Sequence, residues 1–226
     1  MKQFLCLTLT AVLLSSCFSV NTNYKSGKNS VKGEGPVITK SLDLNGFNSI
    51  VINGQADVTF TQADAFDVTL TTQENIFDYI DYHVEGDVLL LETKDKAGVR
   101  AERYDVTVTA PSLVSLTVNG ASDFDIKKLR MEEDLRVEVN GAGDLSFDDL
   151  ACRDLSIVTN GASDIRASVE VQSVKLVVNG AGNVKIGGMA EDASFEVNGA
   201  GSIDACNLSV AGEVNRKTSG LAKIKL

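Results

Sequence analysis

Several classes of function are excluded by what this sequence lacks. Tryptophan is absent, histidine occurs once among 226 residues, and aromatic residues make up 6% of the chain. Without tryptophan the chain has little with which to build a stacking platform for sugars or bases, although tyrosine and phenylalanine remain. The single histidine, His83, excludes a cluster of metal-binding histidines. It also lies outside the repeats described below, so we interpret it as a surface residue and predict no Ser-His-Asp site.

Positive charge is also in short supply. The chain has 21 Lys and Arg residues against 31 Asp and Glu residues, which gives a formal net charge of −10. Phosphate binding needs clustered Lys and Arg, so the composition argues against a nucleic-acid partner. An acidic surface favours solubility and the binding of cations.

No apolar run reaches the roughly 20 residues that a membrane-spanning helix needs. The apolar stretch over residues 4–14 follows a basic Lys2, and residues 1–16 are therefore predicted to be an export signal. The next residues, Leu14-Ser15-Ser16-Cys17, resemble the lipobox of bacterial lipoproteins. That resemblance implies cleavage before Cys17, acylation of Cys17 with diacylglycerol and palmitate, and anchoring to a bacterial membrane, with the outer membrane expected. An ordinary signal peptide that happens to contain a cysteine is the alternative.

Residues 17–35 are predicted to be the lipidated cysteine and a flexible tether. The stretch is rich in Ser, Asn, Gly and Lys and shows no apolar periodicity. Its three lysines invite contact with anionic headgroups, but a solvated spacer is the simpler interpretation.

An internal repeat dominates the rest of the chain. The intervals between the asparagines of successive copies, from Asn119 onward, are 21, 20, 19, 19 and 21 residues, with the last copy carrying Ser219 in place of Asn. Each regular copy reads Asn-Gly-Ala-Gly/Ser followed by a polar residue, and a degenerate copy begins at Asn53. The asparagines are Asn53, Asn119, Asn140, Asn160, Asn179 and Asn198.

The flanks of each copy predict strands. Apolar side chains recur one, three and five residues before the Asn and again five residues after it, with polar residues between, and this period of two indicates strands with one buried face. An array of hairpins would alternate two kinds of turn, whereas here one turn recurs every 19 to 21 residues. The pattern therefore predicts an all-β fold, a right-handed single-stranded parallel β-helix with coils of about 20 residues. A β-sandwich is the alternative.

The turn chemistry agrees with such a stack. Glycine tolerates positive φ, the alanine is small enough to point inward at a corner, and stacked asparagines are expected to form an amide ladder from coil to coil. We predict that residues 36–226 form the β-helix, with irregular coils over 36–111 and regular repeats over 112–226. For residues 61–111 two arrangements stay open, namely coils of the same stack or a small β-layer that caps it.

Two cysteines, Cys152 and Cys206, remain in the predicted β-helix. They occupy different places around the coil and are two to three coils apart, beyond the roughly 7 Å that a disulfide can bridge. We therefore expect free thiols that are largely buried.

A row of acidic residues follows the turns. Asp57, Asp123, Asp144 and Asp164 each lie four residues after their asparagine. In a stack they would line up about 5 Å apart, as oxygen ligands that suit a cation such as Ca²⁺. The simpler interpretation is that each aspartate accepts hydrogen bonds from the backbone of its turn. We predict no metal and no cofactor.

Taken together, these features are similar to a known family. The lipobox, the polar tether, residues 49–60, the Ala110-Pro111-Ser112-Leu113 step and the serial turns resemble the bacterial family described as "putative auto-transporter adhesin, head GIN domain". The resemblance implies an exported β-helical domain with an adhesive role, and it carries over no catalytic residues.

Three functions remain open. The first is a non-enzymatic adhesin or ligand-binding module that recognises a glycan or a protein, using the outward side chains Ser115, Arg136, Ser156, Lys175 and Ser194 with Thr117, Glu138, Val158, Val177 and Glu196. The second is a self-associating envelope scaffold. The third, a carbohydrate-active enzyme, is disfavoured because the short and nearly equal repeats between Asn119 and Ser219 leave no room for loops that wall a cleft.

Overall fold

A computed structural model describes residues 30–94 and 98–226 of the chain. The predicted signal 1–16, the predicted acylation site Cys17 and most of the predicted tether lie outside the described residues.

The described residues are almost entirely β-structure. They contain seventeen strands and one 3-10 helix, Glu74–Tyr79. The strands are β1 (Ser30–Lys32), β2 (Val37–Leu42), β3 (Ser49–Gly54), β4 (Asp57–Gln62), β5 (Asp67–Gln73), β6 (Ile80–Glu85), β7 (Val88–Thr93), β8 (Gly98–Arg100), β9 (Tyr104–Ala110), β10 (Ser115–Ala121), β11 (Asp123–Ile126), β12 (Leu129–Arg130), β13 (Leu135–Gly180), β14 (Asn183–Gly199), β15 (Ser202–Val210), β16 (Val214–Gly220) and β17 (Lys223–Lys225).

Fifteen of these strands form one curled open sheet, and β1 and β8 pair separately. Within the large sheet the repeats pair in parallel and in register. Asn119 of β10 lies between Asn53 of β3 and Asn140 of β13, and Asn198 of β14 lies between Asn179 and Ser219. Equivalent turns therefore stack on one another, and the fold is all-β as the sequence predicts.

The early strands pair both in parallel and antiparallel within the large sheet. Strand β7 pairs in parallel with β3, and β9 pairs in parallel with β4, so these two strands continue the stack of repeats. Strands β2, β5 and β6 extend the same sheet by antiparallel pairing, with β6 beside β7 and with β5 between β9 and β2. We call these three strands the antiparallel layer. Because β3 lies between β7 and β10, the order of the strands in the sheet differs from their order in the chain.

The buried core follows the period of two seen in the sequence. Leu116, Val137, Leu176 and Phe195 occupy equivalent positions and are almost completely buried. Thr159 takes a core position that is valine in the other regular repeats. It is buried as well, and its hydroxyl lies 2.5 Å from the Ser163 hydroxyl, which satisfies both polar groups.

The prediction that the turn alanine points inward is wrong. Ala121, Ala142 and Ala162 are exposed, and the residue after the alanine occupies the corner instead. Ser122 and Ser163 are buried there. The inward-pointing position of the turn therefore falls one residue later than the sequence predicts, and the alanine lies on the outer face.

Candidate functional site

The turn asparagines form a continuous column of hydrogen bonds. In each pair the side-chain amide nitrogen donates to the side-chain oxygen of the preceding repeat. The donor-to-acceptor distances are 2.8 Å for Asn119 to Asn53, 2.9 Å for Asn140 to Asn119, 2.8 Å for Asn160 to Asn140, 2.8 Å for Asn179 to Asn160 and 3.0 Å for Asn198 to Asn179. All six predicted ladder residues are thus brought together in one column.

All the side-chain amides of the column point the same way, with nitrogen toward the preceding repeat, a feature that the repeat alone did not predict. Asn53 donates to the Glu92 carboxylate at 3.1 Å, and Glu92 is the register partner of Asn53 in β7. A carboxylate only accepts hydrogen bonds, so Glu92 requires Asn53 to present its amide nitrogen, and every later amide then points the same way. The side chains of Glu138 and Glu196 also accept from Asn140 and Asn198.

The four predicted aspartates lie along a second polar column. Asp57 and Asp123 are register partners, and Asp123 Oδ1 accepts a hydrogen bond of 2.8 Å from the backbone N–H of Asp144. Further along, Asn183 donates to Asp164 at 2.9 Å, and the Ser202 hydroxyl donates to Asn183 at 2.8 Å. These hydrogen bonds join one repeat to the next.

Asp57 lies where this column is most acidic. It is the register partner of both Asp123 and Asp105. Burial raises the pKa of the Asp57 carboxyl above its usual value, and the negative charges of Asp123 and Asp105 raise it further. Even so, the described residues contain no group of three or more His, Cys, Asp or Glu side chains arranged to hold a metal ion.

Both cysteines of the fold are free, as predicted, but only one of them is buried. Burial raises the pKa of the Cys152 thiol to about 11. Cys206 is exposed, contrary to expectation. Lys185 of β14 faces Asp204 of β15 while Gly187 faces Asn207, so β15 carries an extra residue here. Such a bulge turns a side chain outward.

His83 is partly exposed, and its Nδ1 lies 3.5 Å from Asp81. It is located on β6 in the antiparallel layer, outside the stacked repeats. This placement agrees with its interpretation as a surface residue.

The ten outward side chains proposed as a recognition face lie on neighbouring strands of the stack. Their positions are register partners, for example Ser115 with Arg136 and Lys175 with Ser194, and none of the ten is buried. The face therefore presents mostly polar side chains at the strand spacing of about 4.8 Å, with Val158 and Val177 as a small apolar spot.

A cavity that the sequence did not predict lies at one end of the stacked turns. It measures about 550 Å³ and is lined by residues 54–57 of the first turn, by residues 98–105, and by Ser30, Thr93 and Ala121. A Cβ added at any later turn glycine would meet a backbone carbonyl of the preceding turn, whereas a Cβ added at Gly54 would meet only the Thr93 methyl group, at 3.9 Å. Residues 98–105 do not continue the Asn-Gly turn, and the corner opens there.

Parallel in-register repeats, stacked polar turns and a short antiparallel layer define this chain as an all-β domain built from stacked repeats. The family model described as "putative auto-transporter adhesin, head GIN domain" matches residues 46–168 and 147–226. The chain belongs to this family.

Solved structures share the fold at low sequence identity. A putative lipid binding protein from Parabacteroides distasonis aligns with a TM-score of 0.81 and 19% identity, covering 88% of this chain and 100% of that one. A putative adhesin from the same organism aligns with a TM-score of 0.79 and 22% identity, covering 87% and 84%. A putative adhesin from Bacteroides fragilis aligns with a TM-score of 0.67 and 20% identity, covering 87% and 99%.

No curated protein matches the chain. Among the described residues, no helix has the length and apolar character needed to cross a bilayer.

Proposed function

We propose that this chain is a non-enzymatic cell-envelope lipoprotein that acts as an adhesin-like ligand-binding module. The observation that carries the proposal is the outward face of the stacked repeats, whose side chains recur at a regular spacing without large intervening loops. Repeat stacks of this kind offer extended binding surfaces. The names of the solved neighbours, putative adhesin and putative lipid binding protein, agree with a binding role.

The proposed architecture is a right-handed single-stranded parallel β-helix over residues 36–226. The parallel, in-register pairing of repeats 19 to 21 residues apart supports it. Within it, residues 112–226 form the regular repeats and residues 36–111 the irregular part. The column of six asparagines is proposed as the structural ladder that fixes the register, and the acidic residues are proposed as structural, because Asp123 and Asp164 accept hydrogen bonds from the next repeat.

A carbohydrate-active enzyme is disfavoured. Such a site needs paired carboxylates or a basic group in a cleft. The only histidine, His83, contacts Asp81 at the surface, and the repeats from Asn119 to Ser219 are nearly equal in length.

The binding role is tested with purified full-length chain on arrays of glycans and on immobilised extracellular proteins. The expected result is saturable binding to a glycan or a protein that is reduced by changes on the outward face, such as Arg136→Glu with Lys175→Glu. Lys94→Glu with Lys128→Glu, which reverses two exposed cations outside this face, is the matched control. Absence of any ligand at high micromolar concentration would contradict the proposal.

The membrane anchor rests on the lipobox. Metabolic labelling with palmitate is expected to mark the chain and to be lost in Cys17→Ser. Cys6→Ser, in the predicted signal, is the control and should keep the label. Protease shaving of intact cells then distinguishes the cell surface from the periplasmic face of the outer membrane.

A self-associating envelope scaffold is the second candidate. Strand β16 pairs with β14 on one side and has no second strand beside it in the described part of the chain. An unpaired edge can accept another strand. Sedimentation over a range of concentrations distinguishes the two, because a scaffold assembles and a binding module without its ligand stays monomeric.

A further inference from the structure

Charge is distributed unevenly along this acidic protein. Residues 214–226 contain no Asp or Glu but carry Arg216, Lys217, Lys223 and Lys225, whereas the whole chain has a net charge of −10. These residues form the last repeat, β16 and β17, at the end of the sheet opposite the antiparallel layer. One end of the stack is therefore strongly cationic.

The last repeat also departs from the core pattern. Arg216 is the register partner of Phe195, and Thr218 is the partner of Val197, both of which are buried. Every residue of β16 is exposed. Two polar side chains thus occupy positions that are apolar in the preceding repeat, and both are exposed.

Large aliphatic side chains are exposed beside these cations. Leu221 is 84% exposed, Leu226 51% and Val214 38%. An exposed leucine alone needs no explanation. Exposed leucines next to a group of cations are typical of surfaces that lie at a membrane interface.

The cations surround a cavity of about 500 Å³. Its lining residues are Arg216, Thr218, Ala222, Lys223, Ile224 and Lys225. We call these six residues the C-terminal cationic surface. Lys217 lies outside this lining and binds Glu196 at 2.8 Å. Within the described residues, the three cations of the lining form no ion pair with a carboxylate, although Asp204 is the register partner of Lys225. Their charge is available to an anionic ligand.

We propose that the C-terminal cationic surface binds the phosphate headgroups of anionic lipids, with Leu221 entering the membrane interface. This inference rests on the proposed lipid anchor, which keeps the chain at a membrane. The anchor alone leaves the orientation of the domain free, and a second contact fixes it. Guanidinium and ammonium groups that line a cavity match a phosphate in charge and hydrogen bonding, and the neighbouring leucine matches the acyl boundary.

The length of the chain permits both contacts with one membrane. The column from β7 to β16 has eight stacked levels, three of them contributed by the long strand β13, and at about 4.8 Å between levels it is roughly 34 Å long. Residues 17–29 can extend to roughly 45 Å at about 3.4 Å per residue. The tether therefore reaches the membrane when the opposite end of the stack rests on it.

Cys206 provides a probe close to this surface. Its thiol is exposed, it lies two residues beyond Asp204, the partner of Lys225, and Cys152 is buried. The acylated full-length chain is labelled at Cys206 with an environment-sensitive fluorophore and inserted into vesicles of pure phosphatidylcholine or of phosphatidylcholine with 30% phosphatidylglycerol. We expect a blue shift and quenching by spin-labelled lipid only on the anionic vesicles, and loss of both in high salt.

Charge reversal tests the named cations. Lys223→Glu with Lys225→Glu should abolish the shift on anionic vesicles. The matched control, Lys94→Glu with Lys128→Glu, changes the charge equally on exposed lysines outside both this surface and the outward face, and it should retain the shift. The salt dependence of the unmodified chain provides the same test if the first double variant does not fold.

The outcomes separate the two proposals. A chain that floats with both kinds of vesicle but whose probe stays in a water-like environment would overturn this inference and leave the anchor intact. A chain that floats with neither would overturn the anchor. An equal shift produced by inorganic phosphate or by an acidic peptide without vesicles would assign the surface to a soluble ligand and also overturn the inference.

Discussion

Two glycines offer a sharp test of the stacked turns, because they share a backbone conformation and differ in their surroundings. Gly120 has φ of +143° and Gly54 has φ of +144°. A Cβ added at Gly120 would lie 2.0 Å from the Gly54 carbonyl oxygen and 2.9 Å from its carbon. A Cβ added at Gly54 would meet only the Thr93 methyl group at 3.9 Å, an ordinary contact.

The cost of each alanine substitution follows from this geometry. Both variants place a side chain at positive φ, which costs about 1–2 kcal/mol. Gly120→Ala must in addition push apart two backbones joined by the parallel ladder, and overpacking of this kind costs about 1–3 kcal/mol more. We expect Gly120→Ala to lose about 2–5 kcal/mol of unfolding free energy and Gly54→Ala about 1–2 kcal/mol.

Equilibrium unfolding in guanidinium chloride measures the difference. With a typical slope, about 2 kcal/mol separates the two midpoints by roughly 0.3–1 M. Failure of Gly120→Ala to fold while Gly54→Ala folds agrees with the same reasoning. Equal midpoints for the two variants would refute it, because only φ would then matter and the turns would not be in contact.

Three further predictions concern the polar columns and the thiols. Asn140→Ala removes hydrogen bonds on both sides of the ladder and should cost about 1–2 kcal/mol of unfolding free energy, measured by urea denaturation; an unchanged midpoint would mean that the ladder adds no stability. Iodoacetamide at pH 8 should modify Cys206 in the folded chain and Cys152 only after unfolding, as read by peptide mass spectrometry, and rapid native labelling of Cys152 would contradict its burial. Folding raises the pKa of Asp57, so its ionisation destabilises the fold as the pH rises above about 3.8. Asp57→Asn should therefore raise the thermal midpoint at pH 7 but not at pH 3, and a gain of equal size at both values would exclude the charge as its cause.

The repeat could be predicted from the sequence because its determinants are local. Alternation of apolar residues selects strands and their buried face. The fixed spacing of the Asn-Gly turns places identical turns in register, and side chains such as Asn119 and Asn140 then meet. Free cysteines followed from the same counting, since Cys152 and Cys206 lie at different places around the repeat.

Other features depend on contacts between distant parts of the chain. The direction of the amide column is set by Glu92, which the sequence places 39 residues after Asn53 and the structure places beside it. The exposure of Cys206 comes from a bulge, in which β15 has one residue more than its partner strand β14. Neither feature leaves a periodic signal, because each results from register rather than from the residue type.

The sequence by itself determined that this protein is a stack of parallel β-repeats with asparagine turns, since burial of alternate side chains and turn chemistry act over a few residues. Only the tertiary structure decided how the stack ends. At one end antiparallel strands cover the core and open a cavity beside Gly54. At the other, Arg216 is exposed at the position where the preceding repeat has the buried Phe195, and it contributes to a cationic surface. The ends differ because the first repeat, β3 and β4, pairs with β7 and β9, which lack the Asn-Gly turn, whereas among the described residues no strand pairs beyond β16 and β17. The repeat pattern itself specifies neither arrangement.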